Sequence, residues 1–157
     1  MKPNIGLSEK KMNAVADILA NILANQVTLY TKTRKFHWNV RGDSFMEWHK
    51  LFEKQYKQLE KAIDEVAERI NKLGSHTIGT MEEFSKLTTL KEHPGKYPNS
   101  KDMLRELLED HETCIAHRLE HQGFVAVMLQ FDRCGIAVYR PRTPGRGGED
   151  QEVEGQF

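Results

Sequence analysis

Residues 45–73 read FMEWHKLFEKQYKQLEKAIDEVAERINKL, and this stretch decides the fold. Phe52, Tyr56, Leu59, Ile63, Val66, Ile70 and Leu73 recur every three or four residues, the period of a helix with one buried face. Ser44 and Glu47 have the spacing of a capping box that opens the helix, and Gly74 is a natural stop. Flanking the apolar stripe are two i, i+4 pairs, His49/Glu53 and Asp64/Glu68. They form a palindrome about a point between Gln58 and Leu59, with His49 matched to Glu68 and Glu53 to Asp64. Glu53 and Asp64 are separated by close to three full turns, so all four residues share about one face. At a rise of about 1.5 Å per residue they lie about 16 Å apart along the axis, too far for one helix to close around one metal. A second copy laid antiparallel across a two-fold axis brings His49 and Glu53 of one chain opposite Asp64 and Glu68 of the other, twice over. The spacing therefore suggests a metal site shared between subunits. Imidazole with carboxylates suits iron, manganese or zinc, and oxygen-rich ligation with open positions favours redox iron over a closed structural zinc. The same residues also suit an ordinary solvated face, with Glu53/Lys57 and Lys61/Glu65 as everyday ion pairs. Spacing alone leaves both readings open.

Outward from this stretch the chain reads as further helices. Ser8 caps a first helix in which Met12, Val15, Leu19, Ile22, Leu23, Val27 and Tyr30 hold helical spacing to about Phe36. It ends in His37-Trp38-Asn39, and a hairpin across Gly42 would carry His37 to the candidate site. Ser75 to Asn99 carries glycine, two prolines and a second capping box, Thr80-x-x-Glu83, which predicts a loop with one short helix over Met81 to Leu87. Asn99 or Ser100 opens a third long helix to about His121, with Met103, Leu104, Leu107, Leu108 and Ile115 inside. No paired strand pattern and no internal repeat is present, so the fold class is all-α, a helix bundle with a crossover. From Gly123 the pattern decays. Gly135, Pro141, Pro144, Gly145, Gly147 and Gly148 leave no long fourth helix, and 149–157 has the polar, acidic composition of a disordered end.

The 157 residues fit one domain, 1–157, with a core of its own. Twenty-three basic residues balance 23 acidic ones, so bulk electrostatics give no pull toward nucleic acid, although a local basic patch is compatible with neutrality. No apolar run approaches the ~20 residues of a membrane span, and Met1 to Leu7 lacks the apolar core of a signal peptide. Cys114 and Cys134 make no disulfide framework and are read as reduced thiols of a cytoplasmic protein.

His37-Trp38-Asn39-Val40-Arg41-Gly42, then His49-x-x-x-Glu53, then Asp64-x-x-x-Glu68-Arg69, resembles the Dps family of mini-ferritins. Leu73-Gly74, Ile78-Gly79-Thr80 and Tyr97-Pro98 fit as well, and the likeness covers roughly Asn4 to Thr113. It implies a ferritin-like four-helix bundle subunit, assembled as a hollow dodecamer, with a ferroxidase centre at each two-fold interface. By this resemblance His37, His49 and Glu53 match the iron ligands of one subunit, and Asp64 and Glu68 those of its neighbour. The family more often has aspartate where this chain has Glu53. The implied activity is oxidation of Fe(II) by hydrogen peroxide or dioxygen, with ferric mineral stored inside the shell, in a cytoplasmic or nucleoid-associated protein. The resemblance also implies DNA as a partner, but an N-terminal arm with only Lys2, Lys10 and Lys11 offers few phosphate contacts, and Arg140, Arg142 and Arg146 add a small cluster. A DNA-protecting nucleoid protein with little ferroxidase activity, and a metal-free helical scaffold, are the competing functions. After about Thr113 the likeness stops, and two readings stand open: a divergent tail, or a reading frame shifted near the codons for 113–115. Trp38 and Trp48 are read as packing aromatics, with radical capture beside iron as the alternative the family suggests. His111, His117 and His121 are read as locally satisfied histidines, with zinc at the i, i+4 pair His117/His121 as the sharper alternative.

Overall fold

A computed structural model describes residues 8–120, with side chains to 117. Every regular element among them is helical: α1 Glu9–Asn39, α2 Phe45–Lys72, α3 Met81–Leu87 and α4 Ser100–Glu120. The expected long-loop helix lies over Met81–Leu87 as read from the sequence. No helix among the described residues is long and apolar enough to cross a membrane. The doubtful fourth helix, the C-terminal arginines, Lys2, Cys134 and His121 lie outside the described residues.

Local chemistry sets the boundaries. Ser8 Oγ accepts from Lys11 N at 3.4 Å, and α1 then buries Met12, Val15, Ala16, Leu19 and Leu23 on one face. The chain reverses through Gly42, whose φ of 95° favours a residue without Cβ. Ser44 departs from expectation. Its backbone is left-handed at φ 58°, and its hydroxyl makes no cap hydrogen bond, so the Ser44/Glu47 capping box does not form. A capping box needs extended backbone at the serine, and the tight turn after Gly42 denies it. The second box does form. Glu83 Oε2 accepts from Thr80 N at 2.9 Å, while Glu83 N donates to Thr80 Oγ1 at 3.3 Å. Asn99 opens α4, its Oδ1 accepting from Asp102 N at 3.0 Å.

Two apolar clusters hold α1 to its neighbours. One joins Leu29, Phe36, Val40, Phe52, Leu59, Leu90, Met103 and Leu107, and the other Val15, Ala16, Leu19, Leu23, Val66, Ile70 and Leu73. Of the residues expected inside α4, Ile115 is instead 41% exposed. The buried line of α4 runs through Met103, Leu107 and Asp110, and Ile115 falls off that line.

Polar groups buried in α1 tie down the crossover, and periodicity gave no sign of them. Asn25 Oδ1 accepts from Thr89 N at 2.7 Å and from Thr88 Oγ1 at 3.0 Å. Lys32, only 4% exposed, places Nζ 2.5 Å from Asp110, 2.9 Å from Glu106 and 2.9 Å from the Lys91 carbonyl. Burial pulls the ammonium toward its neutral form, but hydrogen bonds to Asp110 and Glu106 overrule it and hold its pKa above the ordinary lysine value. The two acids share one cation unequally: burial leaves Asp110 raised, while Glu106, helped by His93, is lowered. Lysine is protonated below its ordinary pKa of 10.5, so the stability from its raised folded-state pKa is complete there and is lost as pH climbs through the folded value. Thermal melts of the wild type should therefore fall off above that pH, and Lys32→Met should lose most of this alkaline limb. An unchanged alkaline slope in the variant would contradict the assignment.

Candidate metal centre

The α1–α2 hairpin brings His37, in the last turn of α1, against His49, in the first turns of α2. Their rings stack with centroids 3.7 Å apart. Each Nδ1 meets the other's backbone carbonyl, at 2.9 Å for His37 and 3.0 Å for His49. A carbonyl only accepts, so each Nδ1 donates its proton, and the neutral tautomer compatible with this contact carries its lone pair on Nε2. Metal-binding histidines are commonly oriented this way. Phe45 stacks on His49 at 5.1 Å, and the edge of Tyr56 meets His37 at 5.2 Å, so both imidazoles are packed into an aromatic column.

Glu53 stands one turn beyond His49. Its Oε1 lies 2.5 Å from Lys57 Nζ, and that hydrogen bond, with Lys57's charge and smaller contributions from His37 and His49, holds the carboxyl below the ordinary glutamate pKa. Asp64 is exposed farther along α2, and Glu68 Oε2 is paired with Lys72 Nζ at 2.9 Å. Among the described residues no three histidine, cysteine or acidic side chains gather at metal-binding spacing within the one chain. The chain thus brings together His37 and His49, with Glu53 one turn on along α2 and paired to Lys57, and leaves Asp64 and Glu68 apart on the same helix face.

The aromatic surroundings were only partly legible. Trp48 is half-buried against the first core cluster, as a packing residue should be, but Trp38 is 65% exposed. The Arg34 guanidinium sits 5.0 Å from the ring centres of both Trp38 and Tyr56, and Arg34 donates to Tyr30 Oη at 2.7 Å. Tyr30, Arg34 and Trp38 are i, i+4 neighbours along α1, but the contact with Tyr56 of α2 has no signal in the spacing. His111 is buried, its Nε2 has no hydrogen-bond partner, and burial lowers its pKa. Cys114 is a free thiol that burial pushes up to about 12, unreactive at neutral pH.

The ferritin-like domain family matches residues 16–122. A DNA protection during starvation protein of Helicobacter pylori is 40% identical over 96 residues, which cover 61% of this chain and 67% of that protein. The chain is a Dps-family mini-ferritin. An uncharacterized low temperature-induced protein of Nostoc sp. is 42% identical over 118 residues, 75% of this chain and 66% of the relative. The chain thus spans about two thirds of the length of these relatives. Among solved structures, Dps from Vibrio cholerae superposes with a TM-score of 0.74 at 28% identity, covering 81% of this chain and 80% of that one. That Vibrio cholerae protein is a member of a broad superfamily of ferritin-like diiron-carboxylate proteins. DpsC from Streptomyces coelicolor superposes at 0.76 with 27% identity, covering 81% and 73%. The fold is therefore the ferritin-like helical bundle of Dps subunits. The family match continues to residue 122 and α4 runs unbroken to Glu120, both beyond the Thr113 at which the motif likeness ends.

Proposed function

We propose that this Dps-family chain oxidises Fe(II) and stores the ferric product, at a centre completed by two copies related by a two-fold axis. His37, His49 and Glu53 of one copy and Asp64 and Glu68 of the other would hold the iron. The observation that carries this reading is the reciprocal His37–His49 pair. Two backbone carbonyls fix both Nδ1 protons, so both Nε2 lone pairs are available beside a carboxylate already ionised by its neighbour. In support, the acids that could finish the coordination lie about 16 Å along the same helix, at the positions a two-fold axis returns to the first group.

Iron is the substrate here. Two Fe(II) ions give one electron each to one hydrogen peroxide, whose O–O bond breaks. With two protons the products are two Fe(III) and two waters, and no hydroxyl radical is released. Dioxygen is the alternative oxidant. Carboxylates suit the rising charge because they stay anionic and are hard oxygen donors, while the imidazoles leave a weaker position for incoming Fe(II). The longer Glu53, where the family more often has aspartate, keeps the charge but sets the oxygen one bond farther from α2. Several relatives bear the name DNA protection during starvation protein. Joint consumption of iron and peroxide would protect DNA without a DNA-coating arm, and a balanced charge with few arm lysines favours that route here.

Anaerobic loading with Fe(II) followed by peroxide tests the reading. Stoichiometric oxidation at two irons per peroxide is expected, falling to the background rate in Glu68→Ala. An unchanged rate in that variant would remove the proposed centre.

A further inference from the structure

The outer face of α2 carries four exposed lysines, Lys50, Lys54, Lys57 and Lys61, and only Lys57 of these closes an ion pair among the described residues, to Glu53. Glu60, three residues on, is exposed and closes no salt bridge within the described chain. The palindrome of α2 decides what this means. An axis between Gln58 and Leu59 sets Lys57 of one copy at the height of Glu60 of the other, and Glu60 at the height of Lys57. Both lie on the face that carries His49, Glu53, Asp64 and Glu68. The other three lysines meet no acid by the same operation: Lys50 falls level with Ala67, Lys54 with Ile63 and Lys61 with Tyr56. Packed helices lie about 8–10 Å apart, a gap that a lysine and a glutamate reaching toward each other can bridge.

We propose that Lys57 serves two carboxylates in turn: Glu53 of its own chain while the α2 face is bare, and Glu60 of a second copy once two α2 helices pair antiparallel, so that assembly uncovers Glu53 for metal. The proposal rests on the two-copy reading above and deepens it. In the single chain the ammonium sits on one of the two Glu53 carboxylate oxygens, where it competes with a metal ion for the same charge. An exposed i, i+4 pair is weak, so the exchange costs little. Two reciprocal Lys57–Glu60 pairs close on the axis itself, between the two iron sites, where bound partners exclude water and charge complementarity sets register. A single charge reversal replaces both attractions by repulsions, and a double reversal restores them with the signs exchanged.

The test compares full-length wild type, Lys57→Glu, Glu60→Lys and the double variant. Sedimentation on dilution reads association, and anaerobic calorimetry with Co(II) reads metal binding. Each single reversal should weaken association about tenfold or more, and the double variant should return to within about threefold of wild type. Co(II) affinity should fall and recover in parallel. Helical circular dichroism of each variant separates lost folding from lost pairing. Single reversals that associate like wild type, or a double variant no better than either single, would overturn the proposal. Failure of the two-copy reading looks different: Co(II) binding by wild type would then be indifferent to Asp64→Asn, whatever the charge reversals do.

Discussion

Mixing two inactive variants is expected to restore Fe(II) oxidation. In one, His49→Ala and Glu53→Gln remove the first half of each proposed centre; in the other, Asp64→Asn and Glu68→Gln remove the second. Alone, each should oxidise Fe(II) with peroxide about 100-fold more slowly than wild type, a loss of about 2.7 kcal/mol in barrier lowering. When the two are co-assembled in equal amounts, half the two-fold pairs contain one of each. Such a pair has one centre with both halves intact and one with neither. About a quarter of the wild-type centres should therefore return, from chains that are each inactive. Centres built within one chain could not recover, because every chain in the mixture lacks two ligands. Stopped-flow oxidation of anaerobically loaded protein reads the outcome, and a mixture as slow as its components would end the two-copy reading. This arrangement is motivated by the separation along α2: the His37–His49–Glu53 group stands at one end and Asp64–Glu68 about three turns away.

Phe52→Ala should destabilise the fold by about 3–5 kcal/mol, the usual cost of emptying a fully buried aromatic site. Phe52 is wholly buried, tilted against Phe36 with ring centres 6.4 Å apart, and packed among Leu29, Val40, Leu59, Leu90, Met103 and Leu107. It therefore ties α2 to α1 and α4 together with the crossover, and it immediately precedes Glu53, about 100° away around α2. Phe52→Leu keeps most of the volume and should cost less than about 1.5 kcal/mol. Denaturant midpoints must be taken at one protein concentration, because subunit association adds to apparent stability. A loss under about 1 kcal/mol for the alanine variant would show that this cluster is not the anchor of the hairpin. Because α2 carries four of the five proposed ligands, the same variant should also lower metal affinity in whatever fraction remains folded.

Much of this is legible in the residues alone. Apolar spacing located α1, α2 and α4 because each buries one stripe, and burying a stripe leaves a period of three to four in the residues themselves. Thr80 and Glu83 announced α3 because a capping box is local chemistry, complete within four residues. The same rule failed at Ser44, where the backbone is set by the reversal at Gly42 rather than by the serine. Ile115 was misplaced because hydrophobicity says that a residue can be buried, not which side of its helix meets a neighbour.

By itself the sequence determined the helices and the palindrome of His49, Glu53, Asp64 and Glu68 about the middle of α2, on which the proposal of a second copy rests, since all of these depend on residues near one another along the chain. The tertiary structure alone decided that His37 stacks on His49 with both Nδ1 protons held by carbonyls, that Lys32 lies buried between Glu106 and Asp110, and that Arg34 of α1 lies over the Tyr56 ring of α2. Each of these joins different helices or distant turns, and a side chain's partner across a helix interface depends on how the helices dock, which no local pattern of residues records.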